Sequence, residues 1–250
     1  MAALYDTIGK GYAARRRTDP RIAAALWLAL GDAEMVVNVG AGAGSYEPRD
    51  RAVVAVEPSL TMIRQRPPDA APVLQAVAEQ LPLRDASVAA AMAVLTVHHW
   101  RNVSQGLTEM RRVSRDRIVI LTCDPAGPGF WLTDEYFPAI RTQDSRKLPG
   151  IPEFEAALGP VSVNTVPIPR HCQDGFLGAF WAHPHAYLDA GVRSGISVFA
   201  GLPGLQEGLL RLREDLDSGI WQRRFGALVA QDELDIGYRL VIADLSGRRA

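Results

Sequence analysis

The 250-residue chain is short of cysteine, of net charge and of long apolar runs, and each shortage closes off a class of protein. Two cysteines, Cys123 and Cys172, make neither a disulfide framework nor a four-thiolate metal site, and they fit a reducing cytoplasm. A formal net charge of −1 gives no bulk attraction to nucleic acid or to an anionic membrane. The run Arg15, Arg16, Arg17, with Arg21 behind it, reads as a solvated basic face. The longest apolar stretch, residues 86–97, is too short to span a bilayer. The opening residues lack the apolar centre of a signal peptide. A cytoplasmic protein with no membrane or nucleic-acid partner is expected, and its oligomeric state is not legible. Repeats and low-complexity tracts are also missing, whereas 48% hydrophobic residues suffice for one full core.

What is present alternates. Asp19-Pro20 followed by Ile22, Leu26 and Leu30 predicts a capped helix over residues 20–30. Val36, Val37 and Val39 form a buried strand that runs into glycines, and residues 52–56 form a second. Ser59 caps a helix reaching about Arg66, where Pro67-Pro68 ends it. Strands are expected at 73–77, 87–94 and 117–123, with a helix over 103–113 between the last two. Apolar strands alternating with helices imply an α/β fold, a mostly parallel sheet with helices on both faces. Two more strands are expected at 161–168 and 236–243, making seven. Between them lie about 65 residues with helical stripes such as Leu205, Leu209, Leu212 and Leu216. The expected organisation is a Rossmann-like core, 1–168 with 233–250, and a helical insertion, 169–232, as a candidate acceptor cap.

The strongest chemical signal is the run 36–44, Val-Val-Asn-Val-Gly-Ala-Gly-Ala-Gly. Glycines directly after a buried strand let backbone approach a ligand at the carboxyl edge of the sheet. Glu57, 13 residues beyond Gly44, ends the next strand, where a carboxylate can accept hydrogens from both ribose hydroxyls. A dinucleotide loop needs glycines at positions one, three and six. Here glycine falls at the fifth, and Ser45 stands at the sixth. The spacing therefore favours an adenosine cofactor other than a nicotinamide dinucleotide.

In these features the chain resembles the class I S-adenosylmethionine-dependent methyltransferases of UbiE-like layout. The resemblance rests on the opening motif Tyr5 to Tyr12, the glycine run, and Glu57-Pro58-Ser59 with Met62. It continues through residues 78–83 with Asp85, and through Val97-His98-His99-Trp100. It implies S-adenosylmethionine as cofactor, S-adenosylhomocysteine as product and a small-molecule O-, N- or C-acceptor. It also implies that Gly40, Gly42 and Gly44 line the methionine and ribose, and that Glu57 holds the ribose hydroxyls. Ala78 and Glu79 would border the adenine with Met62 packed on it. Tyr12, Arg16 and Arg17 would close over the amino-acid end, where the cofactor carboxylate needs a charged partner. Asn38, Ala41, Pro58 and Ala93 complete the implied set. Three positions depart from the family pattern: Asn38, Val77 and Ala89 stand where acids are usual.

If the acceptor is a hydroxyl, a base is needed, and histidine suits neutral pH. His98, after the fourth strand, and His171, after the sixth, are the candidates, each otherwise a hydrogen-bonded structural histidine. His183 and His185 lack the spacing of a helical metal pair, and no metal is expected. Trp131, Tyr136, Phe176, Phe180 and Trp181 either wall an apolar acceptor pocket or form core. Two rival readings remain at this point: a nicotinamide-dependent oxidoreductase, and a cofactor-binding regulatory or partner protein without catalysis.

Overall fold

The computed structural model describes residues 15–248, so Tyr12 and the opening motif lie outside the described residues. Helix α1 (Pro20–Leu30) begins as the sequence predicts. Asp19 accepts the Arg21 backbone N–H at 2.9 Å, Pro20 occupies the first turn, and Gly31 closes the helix at φ 58°. Its Ile22, Ala23, Leu26 and Leu30 are buried.

The central sheet contains β1 (Met35–Val39), β2 (Ala52–Val56), β3 (Val73–Leu74), β4 (Val88–Val94), β5 (Ser114–Cys123), β6 (Ser162–Thr165) and β9 (Tyr238–Asp244). The strand order is β3-β2-β1-β4-β5-β9-β6. Strand β9 runs antiparallel to β5 and β6, and the other pairs are parallel. This is the expected seven-stranded, mostly parallel, Rossmann-like sheet. The chain leaves β1 toward β2 on one side and later returns to β4 on the other. That reversal opens a crevice at the carboxyl ends of the strands, where ligands bind in such sheets.

Strand side chains alternate between two faces. Val36, Ala90, Met92, Val119 and Leu121 pack under α1. Val37, Val39, Ala91, Ala93, Ile118 and Ile120 pack under α3 (Val103–Val113) and α5 (Ile151–Leu158).

Several expectations need correction. Strand β3 is two residues long rather than five. The helix after Ser59 is the short α2 (Leu60–Ile63). The strand expected over 161–168 splits into β6 and a separate β7 (Ile168–Pro169), because Pro167 has no N–H to donate to a ladder. Helices α4 (Pro138–Lys147) and α5 were not foreseen. Within α4 only Ile140 is buried, so the segment carries no apolar stripe.

Strand β7 pairs with β8 (Glu233–Leu234) in an antiparallel ribbon, Ile168↔Leu234 and Pro169↔Glu233. Between them run α6 (Ala190–Arg193), α7 (Leu205–Asp217), α8 (Ile220–Phe225) and several 3-10 turns. The apolar side chains of this segment join the same core that underlies α1. Trp131, Tyr136, Phe176 and Trp181 are buried there and Phe180 packs against them, which makes the aromatics core. Trp131 meets Trp221 edge-on at 5.2 Å, and its Nε1–H donates to the Trp181 carbonyl at 2.8 Å. Among the described residues no helix is long and apolar enough to cross a membrane.

Candidate functional site

A cavity of about 620 Å³ opens at the carboxyl ends of β1, β2 and β4, a size suited to small-molecule ligands. Its floor is the turn after β1. Gly40 and Gly42 have φ of 71° and 54°, values that admit glycine at little cost. A Cβ on Gly40 would fall 2.2 Å from the Thr96 hydroxyl, so the segment just beyond β4 presses directly on this turn.

Glu57 is 5% exposed and fastens the turn to β2. Its carboxylate accepts the Gly42 N–H at 2.8 Å and the Ser59 N–H at 2.9 Å. Behind the turn lies a buried ion pair, with Arg66 Nη2 2.8 Å from Glu47. The same guanidinium donates to the carbonyls of Gly42 and Ala71. Asn38 explains itself against this pair. Its Nδ2 donates to Glu47 at 3.2 Å, a bond that an aspartate could not make. Asn38 Oδ1 is buried without a hydrogen-bond partner among the described residues, and the residue lines the cavity.

Leu95 and Tyr46 also line the cavity, and both are non-glycine residues at positive φ, 51° and 66°. Such strain costs about 1–3 kcal/mol per residue and collects at functional sites. At the far end Pro58, Met62, Val77 and Ala78 supply apolar walls. Glu79 reaches the rim and accepts the N–H groups of Arg101 and Asn102 at 2.7 and 3.0 Å, which ties down the loop before α3.

Of the residues expected at a cofactor site, Arg16, Asn38, Gly40, Ala41, Gly42, Glu57, Pro58, Met62, Ala78 and Glu79 line this one cavity. Arg17 does not; it is exposed, one residue past Arg16. Gly44 turns away toward Arg66 and Glu47. Ala93 is fully buried on the face covered by α3. Ala89 stands at the opposite, amino edge beside Arg115 and Asp244, so its missing acid has no bearing on the site. Sequence reasoning missed Tyr46, Leu95, Thr96, His99 and Trp100 on the cavity wall.

The histidines also separate. His171 is exposed, its ring 5.3 Å from that of His183, and it does not reach the cavity. His99 lines the cavity. His98 packs behind it, its ring tilted by 51° with centroids 3.9 Å apart, and its buried Nδ1 has no hydrogen-bond partner among the described residues. Burial, then Arg16 and Lys147, lowers the His98 pKa to about 4. Burial, then His98, Lys147 and Arg16, lowers that of His99 to about 2. Both rings are neutral at pH 7.

Stability should therefore fall on acidification. Below pH 6.5 the unfolded chain takes up two protons that the folded one refuses. At pH 5 this costs about 2 kcal/mol per histidine. Burial raises the Asp144 carboxyl to about 6, so the folded state gains that proton first and recovers about 1 kcal/mol. The net expectation is about 2–3 kcal/mol less stability at pH 5 than at pH 7, and a His98→Gln/His99→Gln variant, left with the Asp144 contribution, should instead be about 1 kcal/mol more stable at pH 5. Urea melts at the two pH values check it, and equal midpoints in the parent protein would refute the neutral pair.

The methyltransferase domain family matches residues 37–120. A putative methyltransferase from an antibiotic biosynthesis pathway of Anabaena variabilis is 33% identical, covers 92% of this chain and 98% of its own, and superposes with a TM-score of 0.83. An S-adenosylmethionine-dependent methyltransferase of Thermotoga maritima, described as a possible histamine N-methyltransferase, is 19% identical over 67% of this chain and 85% of that one, with a TM-score of 0.52. The [4+2]-cyclase SpnF, 12% identical over 96% and 94% of the two chains, shares the fold at a TM-score of 0.56. No curated protein matches the chain.

The chain belongs to the class I S-adenosylmethionine-dependent methyltransferases, and S-adenosylmethionine is its cofactor. The nicotinamide reading and the non-catalytic one are thereby set aside.

Proposed function

We propose that the chain methylates a small organic molecule at an amine nitrogen or an acidic hydroxyl oxygen, ahead of carbon. The observation that carries this reading is the neutral His99 on the cavity wall, backed by His98. The cofactor supplies an electrophilic methyl group on a sulfonium centre, so the protein's part is alignment and exclusion of water. A neutral imidazole can accept a hydrogen bond from an acceptor N–H or O–H. With its pKa held near 2, His99 takes up a full proton reluctantly. That arrangement suits an acceptor carrying its own nucleophile, such as an amine lone pair or a phenol-like oxygen, better than an alcohol needing a strong base.

The cofactor roles are assigned from the same geometry. A carboxylate has about four acceptor positions; the Gly42 N–H uses Oε2 of Glu57 and the Ser59 N–H uses Oε1, and the ribose hydroxyls are assigned to the same carboxylate. Asn38 Oδ1 supplies a buried acceptor for the ammonium, and Arg16 a cation for the carboxylate. Gly40, Ala41 and Gly42 pass beneath. Met62, Ala78 and Val77 bracket the adenine, an apolar replacement for the acid usual at position 77.

The division into a core, 1–168 with 233–250, and an insertion, 169–232, is supported by the β7–β8 ribbon at the base of that segment. None of the described residues of the insertion lines the cavity, but Asp174 holds Arg16, which does. Arg16→Gln is therefore expected to disturb the site directly, whereas the exposed His171 can be changed to Ala with little effect. Isotope transfer from S-adenosylmethionine to a panel of small amines, phenols and aliphatic alcohols tests the reading. Label should enter amines or phenols first; label appearing only in protein or nucleic acid would remove the small-molecule acceptor.

A further inference from the structure

Segment 15–21 and segment 171–175 are about 150 residues apart in sequence and are laced together. The Arg16 guanidinium meets Asp174 through two bonds, Nε to Oδ1 at 2.6 Å and Nη2 to Oδ2 at 3.1 Å. Tyr46 Oη–H donates to the same carboxylate at 3.0 Å, as does the Gly175 N–H at 2.7 Å. One turn of chain away, Asp19 accepts the Gln173 N–H at 2.9 Å and Arg21 donates to the His171 carbonyl at 2.7 Å. Gly175 lies so close that a Cβ there would fall 2.3 Å from the Arg15 carbonyl. The Asp174 side chain is fully buried and that of Arg16 is 11% exposed.

A buried carboxylate with four donors is an investment that packing alone does not explain, because well-packed apolar groups commonly do as well as a buried ion pair. What the pair fixes is direction. Asp174 grips the Nε–Nη2 side of a planar fork, so Nη1 lies on the far side, and Arg16 is part of the cavity wall. An arginine held in this way loses less rotamer freedom when it meets an anion than one that must be ordered on binding.

We propose that Asp174, supplied by the insertion, is the positioning residue for Arg16 in the subsite that takes the cofactor's amino-acid carboxylate. The proposal rests on the assignment of Arg16 to that carboxylate. It makes the insertion part of cofactor selectivity: the enzyme tells an amino-acid-bearing sulfonium or thioether from a truncated one through a residue outside the sheet.

The test is calorimetry with two ligands, S-adenosylhomocysteine and 5′-methylthioadenosine, the second lacking the amino-acid end. Asp174→Asn should weaken S-adenosylhomocysteine by about tenfold or more, as expected for a misdirected charge-assisted contact, and leave 5′-methylthioadenosine within about twofold. Arg16→Gln should do the same, and the double variant should be no worse than Arg16→Gln alone, because both act through one contact. Equal loss for both ligands, or additive losses, would make Asp174 merely structural and overturn the proposal. If Arg16→Gln weakens S-adenosylhomocysteine and Asp174→Asn does not, the positioning role fails while the carboxylate assignment stands. If Arg16→Gln itself changes nothing, the assignment of Arg16 fails. Should Asp174→Asn not fold, Asp174→Glu keeps the charge and displaces it by one methylene. The same preference for loss of the longer ligand is then expected, and its absence overturns the proposal.

Discussion

Glu57→Ala is expected to weaken S-adenosylhomocysteine binding by more than about a hundredfold and to destabilise the ligand-free protein as well. Two effects are involved, and they act on different states. The carboxylate accepts the N–H groups of Gly42 and Ser59 at 2.8 and 2.9 Å from a position that is 5% exposed. Truncation leaves two backbone donors in a place poor in water, at about 1–3 kcal/mol each. For a chain of this size that lowers the melting temperature by roughly 5–15 °C. The ligand then loses two hydrogen bonds to a charged acceptor, about 1.5–3 kcal/mol each, before any loosening of the turn is counted. Glu57→Gln separates the two. It keeps the shape, but its amide points a donor at one of those N–H groups, so part of the stability should go with most of the affinity. Equal ligand affinity in the parent and Glu57→Ala, measured by calorimetry below both melting temperatures, would take Glu57 out of the site.

How far the sequence carried depends on what each inference needed. Strands β2 and β4 are apolar throughout, β1 is so but for Asn38, and β5 is so over residues 118–121, because both of their faces are covered, and that pattern is visible in one dimension. The start of α1 is equally plain, since Asp19 and Pro20 act on their own neighbours. The site was legible as a stretch of chain and not residue by residue. Arg16 and Arg17 are adjacent and chemically equal, yet among the described residues it is Arg16 that finds a buried partner, and that partner is 158 positions away. His98 and His99 exchange roles because they lie in a 3-10 turn (Val97–His99), where one residue rotates the side chain by about 120°. Ala93 faces away from the ligand side by the period-two rule of the strand that carries it. Tyr46 and Leu95 left no local trace, because their positive φ is imposed by the packing around them. Helix α4 escaped notice for a different reason: of its residues only Ile140 is buried, so its periodicity is lost.

Gly42→Val and Gly40→Ala should fail in opposite ways, although the two glycines are separated by a single residue. A Cβ on Gly42 would meet only the Met62 Cε, at 3.4 Å, so the folded protein has room for it. The remaining cost is backbone: φ of 54° is unfavourable for a β-branched residue, by roughly 1–2 kcal/mol. The two valine methyls then stand in the cavity, above the N–H that Glu57 fastens. The expected result is a protein that folds, melts a few degrees lower, and shows no measurable binding of S-adenosylhomocysteine at concentrations that saturate the parent. Gly40→Ala adds one carbon, but that carbon falls 2.2 Å from the Thr96 Oγ1 and 2.9 Å from its Cγ2. Thr96 is buried and β-branched, with little freedom at χ1, so the clash must be relieved by moving β1 away from the end of β4. That variant should lose stability first, by more than Gly42→Val despite its smaller side chain, and lose binding as a consequence. Thermal melts and calorimetry on the pair decide the matter. If Gly42→Val binds as the parent does, the glycine run is only a turn between strands, and the cofactor lies elsewhere in the crevice.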